Sequence, residues 1–163
     1  MVSDIRTQED RNEQTSFCII DSQSVKNTDT AENKGYDAAK KISGIKRHVA
    51  VDTNGLPHAI HITTANVTDR DGALAMIVEQ KQNLKCVKNL LADAGYSGEW
   101  FSSKVKNTIK ATVEIVIPKR WVVERSFAWL EKCRRLSKNC ERKIETSLQM
   151  VVLAFLAVLM KRL

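Results

Sequence analysis

FCIID, residues 17–21, is an apolar run that ends on a carboxylate, Asp21, and NLLAD, residues 89–93, repeats the pattern and ends on Asp93. Short apolar runs with polar boundaries predict buried strands. A third run, WVVE at 121–124, predicts a helix that starts on Lys119 and Arg120 and carries Glu124. An ionised carboxylate resists desolvation, so an acid where an apolar run meets the surface is poorly placed for stability.

These three acids, taken together, predict a metal site. Carboxylates that converge repel one another unless a cation neutralises them, and hard oxygen ligands suit Mg²⁺ or Mn²⁺. The hypothesis is therefore a metal-dependent phosphoryl-transfer site formed by Asp21, Asp93 and Glu124. The alternative for any one of them is an ordinary acid at a strand edge or on a helix surface. Asp52 could be a fourth acid near the site, but beside Asn54-Gly55 it is better interpreted as a turn residue.

The charge of the chain favours a polyanionic partner. The formal net charge is +7, with 43% hydrophobic and 28% charged residues, as in a globular protein. The excess lies in two blocks: residues 118–145 hold nine Lys or Arg against four Glu, and residues 34–47 hold five against Asp37 alone. Two basic blocks beside the acids suit a phosphate backbone, although a solvated basic face remains the alternative.

The order of elements predicts a mixed α/β sheet in a single domain over residues 15–163, after a disordered leader at 1–14. Three strands come first, over 15–21, 47–53 and 57–64, and the last two flank Asn54-Gly55, a strong hairpin signal. Residues 22–44 are polar and predict a long loop. Alternating helices and strands follow at 73–80, 87–92, 99–107, 111–116, 118–136 and 144–161, with Asp69 and Asp71 as expected helix caps. This order predicts antiparallel strands first and parallel strands later, with helices on both faces.

The cysteines and the apolar runs bear on the compartment of the protein and on whether it binds zinc or a membrane. The four cysteines show no CxxC pairing, which favours reduced thiols in a cytoplasmic protein over a zinc site. The apolar run at 150–160 is eleven residues, too short to span a bilayer, so we expect no membrane association. Trp121 and Trp100 could stack on bases, while Trp129 is better interpreted as a core residue.

Four stretches carry a resemblance to a known family: IIDSQSVK at 19–26, GIKRHVAVDT at 44–53, ADAGYSG at 92–98 and PKRWVVERSFAWL at 118–130. Together they resemble the DDE transposases of bacterial insertion sequences that have a DDE_Tnp_1-type, ribonuclease-H-like catalytic domain. The resemblance covers about residues 15–160. By comparison with that family, we expect a chain that is shortened at its N-terminus and between residues 116 and 118, where Ile117 is the single connector.

The resemblance implies an acidic triad of Asp21, Asp93 and Glu124 that holds two Mg²⁺ or Mn²⁺ ions for DNA strand cleavage and strand transfer. It implies double-stranded DNA as the partner, with a homodimer as a further expectation, in a bacterial cytoplasm near the nucleoid. The expected DNA-binding residues are Arg120, Lys119, Arg125, Lys132, Arg134, Arg135, Lys46 and Arg47. Where related transposases often have Tyr and Lys, this chain has Ile117 and Glu131. Two alternatives stay open: a catalytically inactive remnant that binds DNA or a partner, and a metal-dependent nuclease that cleaves without joining.

Overall fold

The computed structural model describes residues 1–116 and 120–161, with the backbone but not the side chain of Arg120. Its strands are β1 (Phe17–Lys26), β2 (Gly35–Asp37), β3 (Ile42–Val51), β4 (Pro57–Thr64), β5 (Asn89–Ala92) and β6 (Thr112–Ile115). Its helices are α1 (Val2–Gln8), α2 (Asp69–Glu79), α3 (Glu99–Ile109), α4 (Arg120–Glu131) and α5 (Ile144–Met160), with short 3₁₀ turns at Ala94–Tyr96 and Arg134–Leu136.

The strands form one mixed sheet. β3 pairs antiparallel with β1, β4 and β2, and β1 pairs parallel with β5, which pairs parallel with β6. The predicted change from antiparallel to parallel strands is therefore confirmed. β1 lies in the centre of the sheet, between β3 from the first half of the chain and β5 from the second half.

Both faces of the sheet are covered by helices, and side chains alternate between them along β1. Cys18 and Ile20 belong to the core beneath α2 and α3, whereas Ile19 and Val25 belong to the core beneath α4 and α5. Since residues two apart share a face, Asp21 points to the side of α4. The sheet thus directs this acid towards the helix that carries Glu124.

The predicted long loop at 22–44 is wrong in its first and last parts. β1 continues as far as Lys26, where the chain is polar, and β3 begins at Ile42. Polar residues hold this strand form because β3 pairs with β1 residue by residue, from Ile19 opposite Val51 to Lys26 opposite Gly44. Pairing along the whole length satisfies the backbone whatever the side chains are.

The expected cap of α2 also needs correction. Thr68 is the N-cap, and its hydroxyl oxygen accepts a hydrogen bond from the backbone N–H of Asp71 at 3.1 Å. The Thr68 hydroxyl in turn donates to the Asp71 carboxylate at 2.6 Å, which resembles a capping box. Asp69 is instead turned to Lys46, 2.9 Å away.

The N-terminal residues, expected as a disordered leader, include the helix α1, which packs on the domain. Ile5 is buried with Leu56 and Leu159, and the guanidinium of Arg6 forms a buried ion pair with Asp52. Asp52 also accepts hydrogen bonds from the backbone N–H groups of Asn54 and Leu56, so its predicted role in the turn is confirmed. A sequence rich in charge folds here because one apolar and one charged side chain find buried partners. The proposed domain boundary at residue 15 stays a prediction.

Two further expectations concern the C-terminal half. No helix within the described residues is long and apolar enough to cross a membrane. α5 instead buries Val151, Ala154 and Phe155 against the sheet. The expected single-residue connector at Ile117 and the expected helix start at Pro118 lie outside the described residues.

Candidate active site at the ends of two parallel strands

Asp21 and Asp93 lie side by side at the centre of the sheet. β1 and β5 are parallel, with Phe17 opposite Asn89 and Ile19 opposite Leu91. The same offset, carried two residues further, brings Asp21 level with Asp93. Ligand sites in open α/β sheets form beyond the carboxyl ends of parallel strands, where these two acids are placed.

Local hydrogen bonds orient both carboxylates. Asp21 is 7% exposed, and its Oδ1 accepts from the backbone N–H of Ser22 at 2.7 Å. Asp93 is half-buried and is the N-cap of the 3₁₀ turn, where its Oδ1 accepts from the Gly95 N–H at 2.9 Å. Each acid therefore has one carboxylate oxygen fixed by a neighbouring backbone N–H group.

Glu124 reaches this region from α4. It lines one cleft of about 350 Å³ together with Asp21, while Asp21 and Asp93 line a second, smaller cleft beneath Val123. Asp21 is thus the acid that both clefts share. The structure places Asp21 between the other two, as a bridging ligand would be.

The three acids are neighbours along one edge, but they are not drawn together around one point. In the part of the chain that the structure describes, no group of three or more His, Cys, Asp or Glu side chains is close enough to hold a metal ion. The strands and α4 therefore bring the three acids to one edge of the sheet, but the described side chains are not grouped closely enough to hold a metal ion.

Two of the expected DNA-binding residues, Lys46 and Arg47, face inwards. Lys46 is 6% exposed and its ammonium lies 2.8 Å from the Val67 carbonyl, next to Asp69. Arg47 is 1% exposed, donates to the Leu136 carbonyl at 2.7 Å, and burial lowers its pKa to about 10. Both lie on β3, which is covered on both faces, so neither side chain can reach a phosphate backbone in this fold.

The basic residues that follow Glu124 are differently placed. Arg125 is half-buried, and its guanidinium lies over the rings of Trp121 and Trp129 at 5.0 and 5.4 Å while it donates to the Asn54 carbonyl. Three of the expected contacts, Lys132, Arg134 and Arg135, are exposed. Arg135 is paired with Glu141 at 2.9 Å, which raises its pKa. Lys119 and the Arg120 side chain lie outside the described residues.

A buried polar cluster beneath Asp21 was missed by sequence reasoning. Tyr96 is 2% exposed, and burial together with the charges of Asp21 and Asp69 raises its pKa well above the usual value. Ser22 is buried beside Tyr96, and the hydroxyl groups of both residues have no hydrogen-bond partner among the residues that the structure describes. These residues come from three separate segments, so no local pattern predicts their meeting. The cluster lies close to Asp21, whose charge acts on the Tyr96 hydroxyl.

Comparison with protein families gives a match to the family described as "Transposase DDE domain", over residues 12–110 and 102–160. A putative transposase for insertion sequence element IS402 of Burkholderia cepacia is 32% identical over 63% of this chain and 56% of its own length. A putative transposase for insertion sequence element IS6501 of Brucella ovis is 27% identical over 67% of this chain and 92% of its own length. The match thus spans about half the length of the first relative.

Solved structures show the same fold at low sequence identity. A chain of the simian T-cell lymphotropic virus intasome, in complex with PP2A regulatory subunit B56 gamma, superposes with a TM-score of 0.60 and 15% identity, over 89% of this chain and 48% of that one. The catalytic core domain of BIV integrase superposes with a TM-score of 0.55 and 15% identity, over 87% and 82%. The predicted ribonuclease-H-like fold class is confirmed.

Proposed function

Since this chain belongs to the transposase DDE domain family, we propose that it carries out metal-dependent DNA strand cleavage and strand transfer for an insertion sequence. Asp21, Asp93 and Glu124 are the proposed catalytic carboxylates. One observation carries the proposal: Asp21 and Asp93 lie level with each other at the ends of two parallel strands, and Asp21 shares its cleft with Glu124. Three segments far apart in the chain supply the three acids.

The donor set suits divalent cations of the hard type. All three side chains are carboxylates, and Mg²⁺ and Mn²⁺ prefer oxygen ligands. Asp21, shared by both clefts, would hold such cations together with Asp93 and Glu124. Bound cations of this kind supply an activated nucleophile and neutralise charge on the phosphate oxygens. The chain's own contribution is to hold the three carboxylates on rigid elements along one edge.

The exposed basic residues after Glu124 are the proposed contacts to double-stranded DNA. Lys132 and Arg134 lie at and beyond the C-terminal end of α4, close in sequence to the candidate site. Phosphate contacts of this kind position a duplex without reading its sequence. Contacts by Lys119 and Arg120, which precede Trp121 in the sequence, stay predictions. Binding should therefore weaken steeply as salt rises, because counterion release drives such contacts.

A second candidate function is DNA binding without catalysis. It is favoured by the finding that, within the described part of the chain, the acids do not form a ready metal-holding group. The two candidates differ in metal affinity. An active site should close around Mn²⁺, whereas an inactive remnant should bind DNA equally well with and without it.

The deciding experiment measures Mn²⁺ binding by calorimetry and strand cleavage and joining on duplex DNA, with Asp93→Asn as the test variant. Asp29→Asn, in the exposed loop after β1, is the matched control because it removes the same charge. We expect Asp93→Asn to lose about 100-fold or more in joining rate, since small misplacements of catalytic groups cost this much. Cleavage without joining would favour the nuclease. Absence of Mn²⁺ binding, with DNA binding intact, would favour the remnant.

A further inference from the structure

The turn between β2 and β3, residues 38–41, is built around one buried acid. Asp37 is 7% exposed, and its Oδ1 accepts hydrogen bonds from the backbone N–H groups of Ala39 and Lys40, both at 3.1 Å. Lys41 completes the turn with φ of 54°, in the left-handed region. The backbone of Lys40 is therefore held in place on a surface turn where loops are usually mobile.

Asp37 is itself anchored to the central strands. Its Oδ2 accepts from the Ser24 hydroxyl at 2.7 Å on β1 and lies 3.5 Å from the Lys46 ammonium on β3. Burial alone would raise the pKa of Asp37, but the hydrogen bonds from Ser24 and the Lys40 backbone, together with the charge of Lys46, lower it. Asp37 therefore stays ionised and ties the turn to the strand that carries Asp21.

The side chain held by this turn lines the candidate site. Lys40 borders the cleft of Asp21 and Glu124, and of the described residues that line that cleft it is the only cation. The third carboxylate there, Glu131, accepts a hydrogen bond from Gln23 at 2.8 Å. A lysine in a cleft that also holds three carboxylates provides the positive charge that an entering anion could bind.

We infer that Lys40 is a phosphate-binding residue that positions the DNA strand against Asp21 and Glu124. This inference rests on the proposed function, because it assigns a substrate contact to that same site. Lys40 would pair with a backbone phosphate of the strand in the cleft, and the Asp37 turn would set where that phosphate lies. Lys40 belongs to the basic block at 34–47, of which Lys46 and Arg47 are buried.

The test compares binding of a short DNA duplex, without metal, to the unmodified chain and to Lys40→Ala, Lys40→Arg and Lys104→Ala over a range of salt. Lys104 is an exposed lysine on α3, so its variant removes the same charge elsewhere. We expect Lys40→Ala to weaken binding at low salt and to reduce the slope of log affinity against log salt by about 1. Lys40→Arg should restore most of the affinity, and Lys104→Ala should match the unmodified chain.

Combination with Glu124→Gln then locates the contact. If Lys40 lies in the same cleft as Glu124, the effects of Lys40→Ala and Glu124→Gln on affinity should not multiply, whereas Glu124→Gln should have the same effect with Lys104→Ala as without it. Equal loss in Lys40→Ala and Lys104→Ala would overturn the inference but leave the proposed function standing. If the unmodified chain shows no salt-dependent binding at all, both fail. Equal unfolding midpoints for all variants show that folding is not the cause.

Discussion

Gly72→Ala should destabilise the protein, although the same change stabilises most helices. Gly72 lies in α2, and a Cβ atom built there would be 2.1 Å from Nε2 and 2.2 Å from Cε1 of His48. His48 is fully buried on β3, and its Nε2 shares a hydrogen bond with the Thr63 hydroxyl at 2.9 Å. The imidazole fills the space that a side chain at residue 72 would need.

The magnitude follows from three contributions. A glycine in a helix costs roughly 1 kcal/mol relative to alanine, so the change by itself would stabilise α2 by that amount. Ordinary contact begins near 3.4 Å, so helix and ring must separate by more than 1 Å, and overpacking of a closed core costs about 1–3 kcal/mol. Loss of the bond to Thr63 costs about 1 kcal/mol more. We therefore expect a net loss of about 1–3 kcal/mol in the free energy of unfolding.

Urea unfolding followed by circular dichroism measures this loss, with Ser103→Ala on α3 as a control that should change little. The double variant Gly72→Ala/His48→Ala removes the ring that causes the clash. Its stability should exceed that of His48→Ala alone, because the helix propensity of alanine is then gained without overpacking. If Gly72→Ala is as stable as the unmodified chain, α2 does not pack on His48 as described and the reasoning fails.

Three further predictions concern buried titratable side chains. Arg47→Ala should lower the free energy of unfolding by about 2–4 kcal/mol, because the Leu136 carbonyl loses its buried donor. The salt dependence of DNA binding should stay unchanged. A smaller slope of log affinity against log salt in the folded variant would show that Arg47 contacts DNA. The neighbouring His58 imidazole, 3.7 Å away, and hydrogen bonds from the backbone N–H groups of Asn54 and Leu56 outweigh the opposing effect of burial and lower the pKa of Asp52 to about 2. The contribution of Asp52 to stability, about 2 kcal/mol and present above its unfolded pKa, should therefore be lost as pH falls towards about 2. Asp52→Asn should flatten the profile of stability against pH in that range. Burial lowers the pKa of His48 to about 3, so stability that is complete above about pH 6.5 should decline as pH falls towards 3, and His48→Gln should remove that decline.

The elements that the sequence predicted best are those set by residues close together along the chain. The apolar runs before Asp21 and Asp93 are short, and Asn54-Gly55 has few alternatives to a tight turn, so these elements were predictable. Their order already required a mixed sheet with parallel strands in its second half. That order allowed the strands before Asp21 and Asp93 to be neighbours but did not force it; the parallel pairing of β1 with β5 comes from the structure.

Tertiary structure alone decided which polar residues are buried. Lys46 and Arg47 lie in a basic stretch and were expected to be exposed, but β3 is paired on both edges and covered on both faces. α1 was expected to be disordered, but Asp52 and Leu56 supply partners for Arg6 and Ile5. Lys40, in the same basic stretch, stays at the surface because Asp37 holds its turn outside the sheet. The spacing of apolar residues in the sequence predicts one helix or strand at a time. Whether a charged side chain can be buried depends instead on partners from segments that are distant in the sequence.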